Sequence, residues 1–591
     1  MSSLDRKHKA GLGGEAALLI LLLAGLVGVP GILYGVTTLG HRLTPRPEGL
    51  PAEFWPRALG SFTGALPWRS MERNLLIAAA VILAALFALF VLHSLRRGAR
   101  TVKHDRAAVR MASLREVGPF TEKRARAKAR AFGVEQPGVV LGRMVRGGKP
   151  LYASWDDTLL HIWGSRTGKT TTQAAPSIIE APGPVIATSN KRDLSDLTRE
   201  LRAENGRIWV FDPQSVANEQ PAWWWNPLSY VTDSERAAEM ANNFALGSRA
   251  VGARGGDAYF DSAGKDLLAG LLLAAAAGNR PIAQVHTWLS RPTDKTAVAL
   301  LDAAGWDKEA DAVGGVMAAP EKQREGVYGT ARQMASCLKN EKVAAWINPA
   351  GPHDRRPRFV PEDFVRGKNT LYALSKEGAG TAGPLVTSLT VATATAAEEY
   401  AVTQPGGRLA APMLCVLDEA ANVCRWAGLP DLYSHYGSRG IVVSTFLQSW
   451  SQGVDVWGES GMKKLFSTAN VFTYGGNVKE EQFLKMLSNL IGTYRYTSVS
   501  TSRQKESRST SRQDSTDDIL SVADLAALPR GRAVMLGSGA RAVLLRTLPL
   551  GERSYAGRVS ASEKAPNHPP GPSAGPAVPA GANRWTSMLK E

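Results

Sequence analysis

The sequence predicts an α/β fold built on a parallel sheet and preceded by two transmembrane helices. Three observations predict it. Two uncharged runs, Ala16–Leu39 and Asn74–Leu92, lie near the start of the chain. From about Gly138 to Leu550, short apolar runs alternate with helix-compatible stretches, the signature of α/β units. Within that region Met413–Leu417 is apolar at every position, as in a strand buried on both faces of a parallel sheet.

The bulk numbers fit. A chain of 591 residues has room for two to four domains. With 44% hydrophobic residues it can bury a sizeable core, which excludes disorder of the whole. The net charge of +17 favours acidic partners, nucleic acid or anionic lipid. The three cysteines, Cys337, Cys415 and Cys424, form no metal spacing and no disulfide framework, and they read as buried apolar thiols.

Each early run has the roughly 20 residues that a helix needs to cross a bilayer, and a helix satisfies its own backbone there. The first is too long for a cleaved signal peptide, and a second span follows it. Arg6, Lys7 and Lys9 precede the first run; Arg96, Arg97, Arg100 and Lys103 follow the second. Positive flanks stay cytoplasmic. The expectation is a hairpin over 1–95, with helices at about 16–39 and 74–93 and an outer loop 40–73. Both termini and the body would lie on the cytoplasmic side of the inner membrane. Residues 96–137 form a basic juxtamembrane linker: Arg96–Arg130 holds 12 Lys or Arg against three acids. It reads either as a stretch held by anionic headgroups or as a DNA contact. Residues 495–518, rich in Ser, Thr and Arg, read as a mobile loop. Residues 554–591, rich in Pro, Ala and Gly, read as a disordered tail.

Chemistry enters at Leu159–Thr171. A strand-like run leads into Gly164-Ser165-Arg166-Thr167-Gly168-Lys169-Thr170-Thr171, and a helix-compatible stretch follows. The phosphates of ATP need backbone N–H donors in a tight loop, a lysine on the β- and γ-phosphates, and a hydroxyl on Mg²⁺. Lys169 and Thr170 suit the last two roles; Arg166 faces either phosphate or solvent. One position departs from the usual pattern. Trp163 stands where the first glycine is expected, and Gly164 follows it. Far downstream, the apolar run 413–417 ends in Asp418-Glu419. Ligands bind at the carboxyl ends of such strands. Asp418 can hold Mg²⁺, and Glu419 can orient or deprotonate the attacking water. A third strand-like run, Gly440–Phe446, leads to Gln448, which reads as a γ-phosphate sensor or as a surface amide. Arg439, just before that run, reads as an arginine finger for a neighbouring subunit or as a structural ion pair.

These segments resemble those of the type IV secretion coupling proteins, the TraG/TraD-type conjugative ATPases. Besides the loop and the Leu417-Asp418-Glu419-Ala420 segment, the likeness rests on Gly138–Arg143, Ala181–Lys191, Trp225-Asn226-Pro227-Leu228, Tyr259-Phe260-Asp261 with its apolar helix, Gly326–Thr330, Phe446–Ser449, Gln482–Gly492 and Leu520–Met535. It spans about residues 138–550. The resemblance implies a RecA-like P-loop motor, its first part 138–230 and its second 351–553, with an all-α domain inserted at 231–350. It also implies a hexamer that hands a relaxase–DNA complex to a type IV secretion channel. Trp223-Trp224-Trp225 reads either as a base-stacking platform or as core.

Two other readings compete. One is an FtsK-like translocase of double-stranded DNA, for which the tail is too short and Pro-rich. The other is a substrate-recruiting receptor with a weak nucleotide site. A nucleophile elbow is excluded, because the one Gly-x-Ser-x-Gly match, Gly571–Gly575, lies in the tail. The Lys169→Ala variant separates motor from receptor. A motor is expected to lose ATP turnover and transfer together, whereas transfer at the parental level without turnover would establish the receptor.

Overall fold

The structure, a computed structural model, describes residues 30–44, 50–97, 103–249, 257–378, 381–504 and 507–564. The chain divides into two units, Met1–Thr101 and Val102–Glu591.

In the first unit, residues 30–43, Phe54–Thr63 and Ser70–Arg97 are helical. Arg57 is buried and ties two of these helices together. It donates to the Pro51 carbonyl at 2.7 Å and to Thr38 Oγ1 at 2.8 Å. The expected pair of membrane spans is not found among the described residues. Among the described residues no helix is long and apolar enough to cross a membrane. Most of the run 16–39 lies outside the described residues, and the side chains of helix Ser70–Arg97 are described only as far as residue 85.

The second unit is organised by one 11-stranded sheet. Its strands in chain order are β1 Val139–Met144, β2 Pro150–Ala153, β3 Leu159–Ile162, β4 Val185–Ser189, β5 Ile208–Phe211, β6 Thr370–Leu374, β7 Met413–Leu417, β8 Ile441–Leu447, β9 Val471–Tyr474, β12 Arg532–Gly537 and β13 Val543–Arg546. Across the sheet they run β2-β1-β13-β12-β9-β3-β8-β7-β4-β6-β5. The seven strands from β9 to β5 are parallel, and the other four extend the sheet antiparallel. Strands β3 to β9 are buried on both faces at every position, which is why they read as unbroken apolar runs. The parallel strands all point one way, so the turns after β3, β7 and β8 meet along one edge.

Between β5 and β6 the described residues hold eight α-helices, from Ser234–Ser248 to the short Pro361–Phe364. The longest, Ala258–Ala277, is buried over most of its second half. Trp223 and Trp225 are core residues beneath this region. Trp223 packs edge-on against Trp209 and Trp346, so Trp223 and Trp225 are core packing, while the half-buried Trp224 carries Arg358 over its ring at 5.6 Å.

Three further stretches differ from the sequence expectation. Residues 103–137 are folded onto the body, with Met111, Val117, Phe120 and Ala129 buried and Asp105 paired to Arg532 at 2.7 Å. The segment read as a loop is a two-stranded antiparallel ribbon, β10 Thr493–Gln504 and β11 Ser507–Asp518. Alternating Thr, Ser and Arg can pair backbones as well as apolar residues do, because ladder hydrogen bonds do not depend on side-chain polarity. The start of the expected tail forms a helix, Ala556–Lys564, whose Val559 is buried; residues 565–591 lie outside the described residues. All three cysteines are buried and free.

Arg202, fully buried, locks the amino edge of β4 to that of β6. Its guanidinium donates to Thr370 Oγ1 at 2.8 Å and to the carbonyls of Ala181, Gly183 and Lys368 at 2.7, 2.8 and 3.1 Å. Replacing it leaves those acceptors buried and unpaired. Arg202→Met is expected to destabilise the body by about 3 kcal/mol or more, read as a lowered denaturation midpoint of the full chain.

Candidate nucleotide site

The loop after β3 is built to offer backbone N–H groups. Arg166 and Gly168 take positive φ, 61° and 95°. Thr167 Oγ1 closes the turn on the Gly164 carbonyl at 2.7 Å. From Lys169 the chain becomes helical, one wide turn over Thr170–Ala174 and then helix Ala175–Glu180. A helix N-terminus behind a loop of this kind is a ready site for phosphate. Thr172 donates through both its backbone N–H and its Oγ1 to the Gly168 carbonyl, at 3.0 and 2.9 Å, holding Gly168 against the first turn.

The turn after β9 shows how Trp163 is accommodated. The Trp163 ring lies against Gly475, where a Cβ would fall 2.0 Å from a ring carbon. Its indole Nε1 donates to Thr473 Oγ1 at 2.8 Å. Gly164 N donates to the Gly476 carbonyl at 3.0 Å, and Asn477 Nδ2 to the Ser165 carbonyl at 2.9 Å. The departure in the loop thus has a structural complement 312 residues away in sequence. His161 sits behind the loop between Thr473 Oγ1 at 2.6 Å and Ser444 Oγ at 3.1 Å, stacked on Phe446 at 4.2 Å. Burial pulls its pKa down to about 3, so the imidazole is neutral.

Strand β7 delivers Asp418 and Glu419 to the same edge, both 4% exposed. Lys169 Nζ lies 3.1 Å from Asp418 Oδ1 and is hydrogen-bonded to Glu419 Oε1. Glu419 is in the left-handed region, φ 54° and ψ 44°, at a cost of roughly 1–2 kcal/mol for a residue with a Cβ. β8 lies between β3 and β7 in the sheet, so Gln448 at its end falls between the loop and the acids. Gln448 Nε2 donates to Glu419 Oε2 at 2.7 Å, and its Oε1 accepts from Ser165 Oγ at 3.0 Å. Ser165, Gln448, Glu419 and Lys169 are linked in one hydrogen-bonded chain, with Asp418 on the lysine.

The electrostatics follow from burial. Burial alone would lower the Lys169 pKa, but the Asp418 and Glu419 carboxylates outweigh it and hold the ammonium charged. Burial pushes the Asp418 carboxyl up, the neighbouring Glu419 adds to that, and Lys169 opposes it. Asp418 Oδ1 is buried, and the group that faces it is the Lys169 ammonium at 3.1 Å. A buried carboxylate whose one close partner is a mobile lysine ammonium, with Thr170 the residue after that lysine, suits a hard divalent cation that keeps most of its ligands as water and phosphate once the lysine turns to phosphate. Among the described residues no three His, Cys, Asp or Glu cluster as a metal cage, and such a cation needs none.

Lys169, Asp418, Glu419, Gln448 and Ser165 are therefore brought together, with Gly164, Thr167, Gly168, Thr170 and Thr171 forming the loop and first turn. Arg166 is exposed at the loop apex. Arg439 is not brought to them. It ends helix Leu429–Arg439 at the amino edge of β8, donating to the Gly407 carbonyl at 3.2 Å. The strand separates it from Gln448 by roughly 20 Å. The sequence reading missed Thr473, Gly475, Gly476 and Asn477. The only signal for them was a Gly-Gly-Asn turn after an apolar run.

Because the loop leans on Gly475, a methyl there must displace the indole. Gly475→Ala is expected to cost about 1–3 kcal/mol and to weaken nucleotide binding. The double variant Trp163→Leu/Gly475→Ala is expected to recover most of the stability, read by thermal melts and nucleotide titration.

Residues 412–530 match the family model described as the TraM recognition site of TraD and TraG. The bacterial conjugative coupling protein TrwBΔN70, in its unbound monoclinic form, superposes with a TM-score of 0.50 at 16% identity, covering 70% of this chain and 89% of that one. Its trigonal form in complex with sulphate gives the same score and identity, covering 71% and 91%. No curated protein matches the chain. Over residues 412–530 the chain carries the TraD and TraG signature, and its fold is that of a bacterial conjugative coupling protein.

Proposed function

We propose that this chain is an ATPase that couples hydrolysis to the transfer of DNA, as a relaxase–DNA complex, into a type IV secretion channel. The observation that carries this reading is the convergence of Lys169, Asp418, Glu419 and Gln448 at the ends of adjacent parallel strands, beside a loop of phosphate-binding shape. The TraD and TraG match over 412–530 and the likeness in fold to a conjugative coupling protein support the choice of cargo. The matched model is described as a TraM recognition site, which supports docking of a partner protein on this part of the motor.

In this reading the loop 164–171 binds the phosphates of ATP through its N–H groups, and Lys169 moves from the carboxylates to the β- and γ-phosphates. Thr170 and Asp418 would hold Mg²⁺, which supplies neutralisation of phosphate charge. Glu419, released from Lys169, accepts a proton from the attacking water. Gln448 fixes the second Glu419 oxygen and so aims the carboxylate. Arg439 acts on the nucleotide of a neighbouring copy in a hexameric ring, because its own site is out of reach. The work is done on phosphates, so grip on DNA would be independent of base sequence and sensitive to salt. Attachment to the inner membrane, with the motor on the cytoplasmic side, belongs to the same proposal. It rests on the uncharged runs 16–39 and 74–92 and their basic flanks.

The test is ATP hydrolysis by the detergent-solubilised full chain, with and without DNA. Turnover stimulated several-fold by DNA is expected, with Glu419→Gln lowering kcat about a hundredfold or more. Hydrolysis absent under both conditions would sink the motor reading, and turnover indifferent to any DNA would move the cargo to protein.

A further inference from the structure

We infer that Arg530 is a second cation of the nucleotide site, contacting the β- or γ-phosphate from the same chain. The inference rests on the ATPase reading and adds to it a residue that no loop motif contains.

Arg530 lies in the turn between helix Val522–Ala526 and β12. Its Nε is 3.7 Å from the point where a Cβ on Gly168 would stand, which puts the guanidinium at the mouth of the phosphate loop, one residue from Lys169. The turn that carries it is firmly held on both sides. Leu528 is buried, and its carbonyl lies 2.8 Å from the position of a Cβ on Gly476, a residue at φ 85°. Gly476 in turn accepts the Gly164 N–H. On the other side Arg532 N donates to the Pro529 carbonyl at 3.1 Å, and Thr547 N to the Gly531 carbonyl at 3.1 Å. The Arg532 side chain is clamped on Asp105 at 2.7 and 2.9 Å. Loop and turn are thus one framework, and backbone contacts hold the root of the Arg530 side chain within reach of Gly168.

Charge points the same way. Lys169 is shared between two buried carboxylates, so the loop's own lysine brings no surplus positive charge. Arg530 is exposed, and among the described residues no carboxylate pairs with it. An arginine left unpaired beside a phosphate loop is chemically suited to phosphate. Its planar fork matches two phosphoryl oxygens at once, which an ammonium cannot do. Charge on those oxygens grows during transfer of the γ-phosphoryl group, so a guanidinium there stabilises the transition state more than the ground state.

The experiment compares the full chain with Arg530→Ala, Arg530→Gln and Arg530→Lys, using Lys169→Ala as the control. Three quantities are read: kcat and KM for ATP, affinity for a fluorescent ATP analogue against the matching ADP analogue, and the melting temperature. An exposed position predicts an unchanged melt. The expected result is a loss of at least tenfold in kcat/KM for Ala and Gln, carried mainly by kcat, with partial recovery for Lys. The ratio of ATP to ADP affinity should fall several-fold. Kinetics and affinity ratio within twofold of the parent would overturn the inference while leaving the ATPase reading intact. If the parent binds nucleotide without turning it over, the affinity ratio alone decides on Arg530. If the parent binds none, the ATPase reading and the inference fall together.

Discussion

Lys169 is a lysine that the chain brings against two buried carboxylates, and the cost of that arrangement governs the rest of the site. Burying three ionised groups is unfavourable unless they satisfy one another. Here they do so only in part. One ammonium has to answer an oxygen of Glu419 and Asp418 Oδ1 together, while Gln448 answers the second Glu419 oxygen. A buried polar group short of partners is costly. The same imbalance makes the pocket receptive to groups that complete it, a divalent cation on Asp418 and phosphate oxygens on Lys169.

The sheet makes this arrangement possible. Parallel strands deliver their following turns to one edge, and the order β3-β8-β7 sets the phosphate loop, the amide and the acids side by side. The strain at Glu419 belongs to the same design. Its left-handed backbone turns the chain sharply at the end of β7, and helix Ala420–Val423 starts directly behind it. A residue with a Cβ holds that conformation only where its surroundings determine it. Here two hydrogen bonds to the carboxylate do so.

The antiparallel extension of the sheet has a role that its position explains. The turns after β9 and before β12 touch the back and rim of the phosphate loop, through Gly475, Gly476 and Asn477 on one side and Leu528 and Arg530 on the other. The stretch 103–137 packs beneath the same extension, through the Asp105–Arg532 pair and the Glu116–Arg541 pair. The Arg541 guanidinium, with the Ser113 backbone N–H and hydroxyl, holds the Glu116 carboxyl down to about 2. The chain before β1 and the turn that carries Arg530 are therefore fixed to the same strands, through Arg532 and Arg541.

Much of the site was legible in the sequence because its signals are local. A lysine and a threonine after a glycine-bearing turn, or two acids closing a five-residue apolar run, are short-range patterns whose chemistry does not depend on the remainder of the chain. The α/β class was legible for the same reason, since strands buried on both faces leave unbroken apolar runs. Other features were settled only by tertiary structure. Trp163 looked like a defect until Gly475 was seen to make room for its ring. Arg439 read as a finger for a neighbouring subunit or as a structural ion pair, and a seven-residue strand sets it at the edge opposite Gln448. The polar stretch 495–518 pairs with itself because a hairpin is held by its backbone, which composition does not reveal. Arg530 lies more than 360 residues from Lys169 in the chain, and only the packing of Leu528 on Gly476 brings it to the loop. The sequence by itself determined which groups could do the chemistry, because that is a property of side chains. Their distances were decided by the strand order of the sheet, which arises from contacts between segments far apart in the chain.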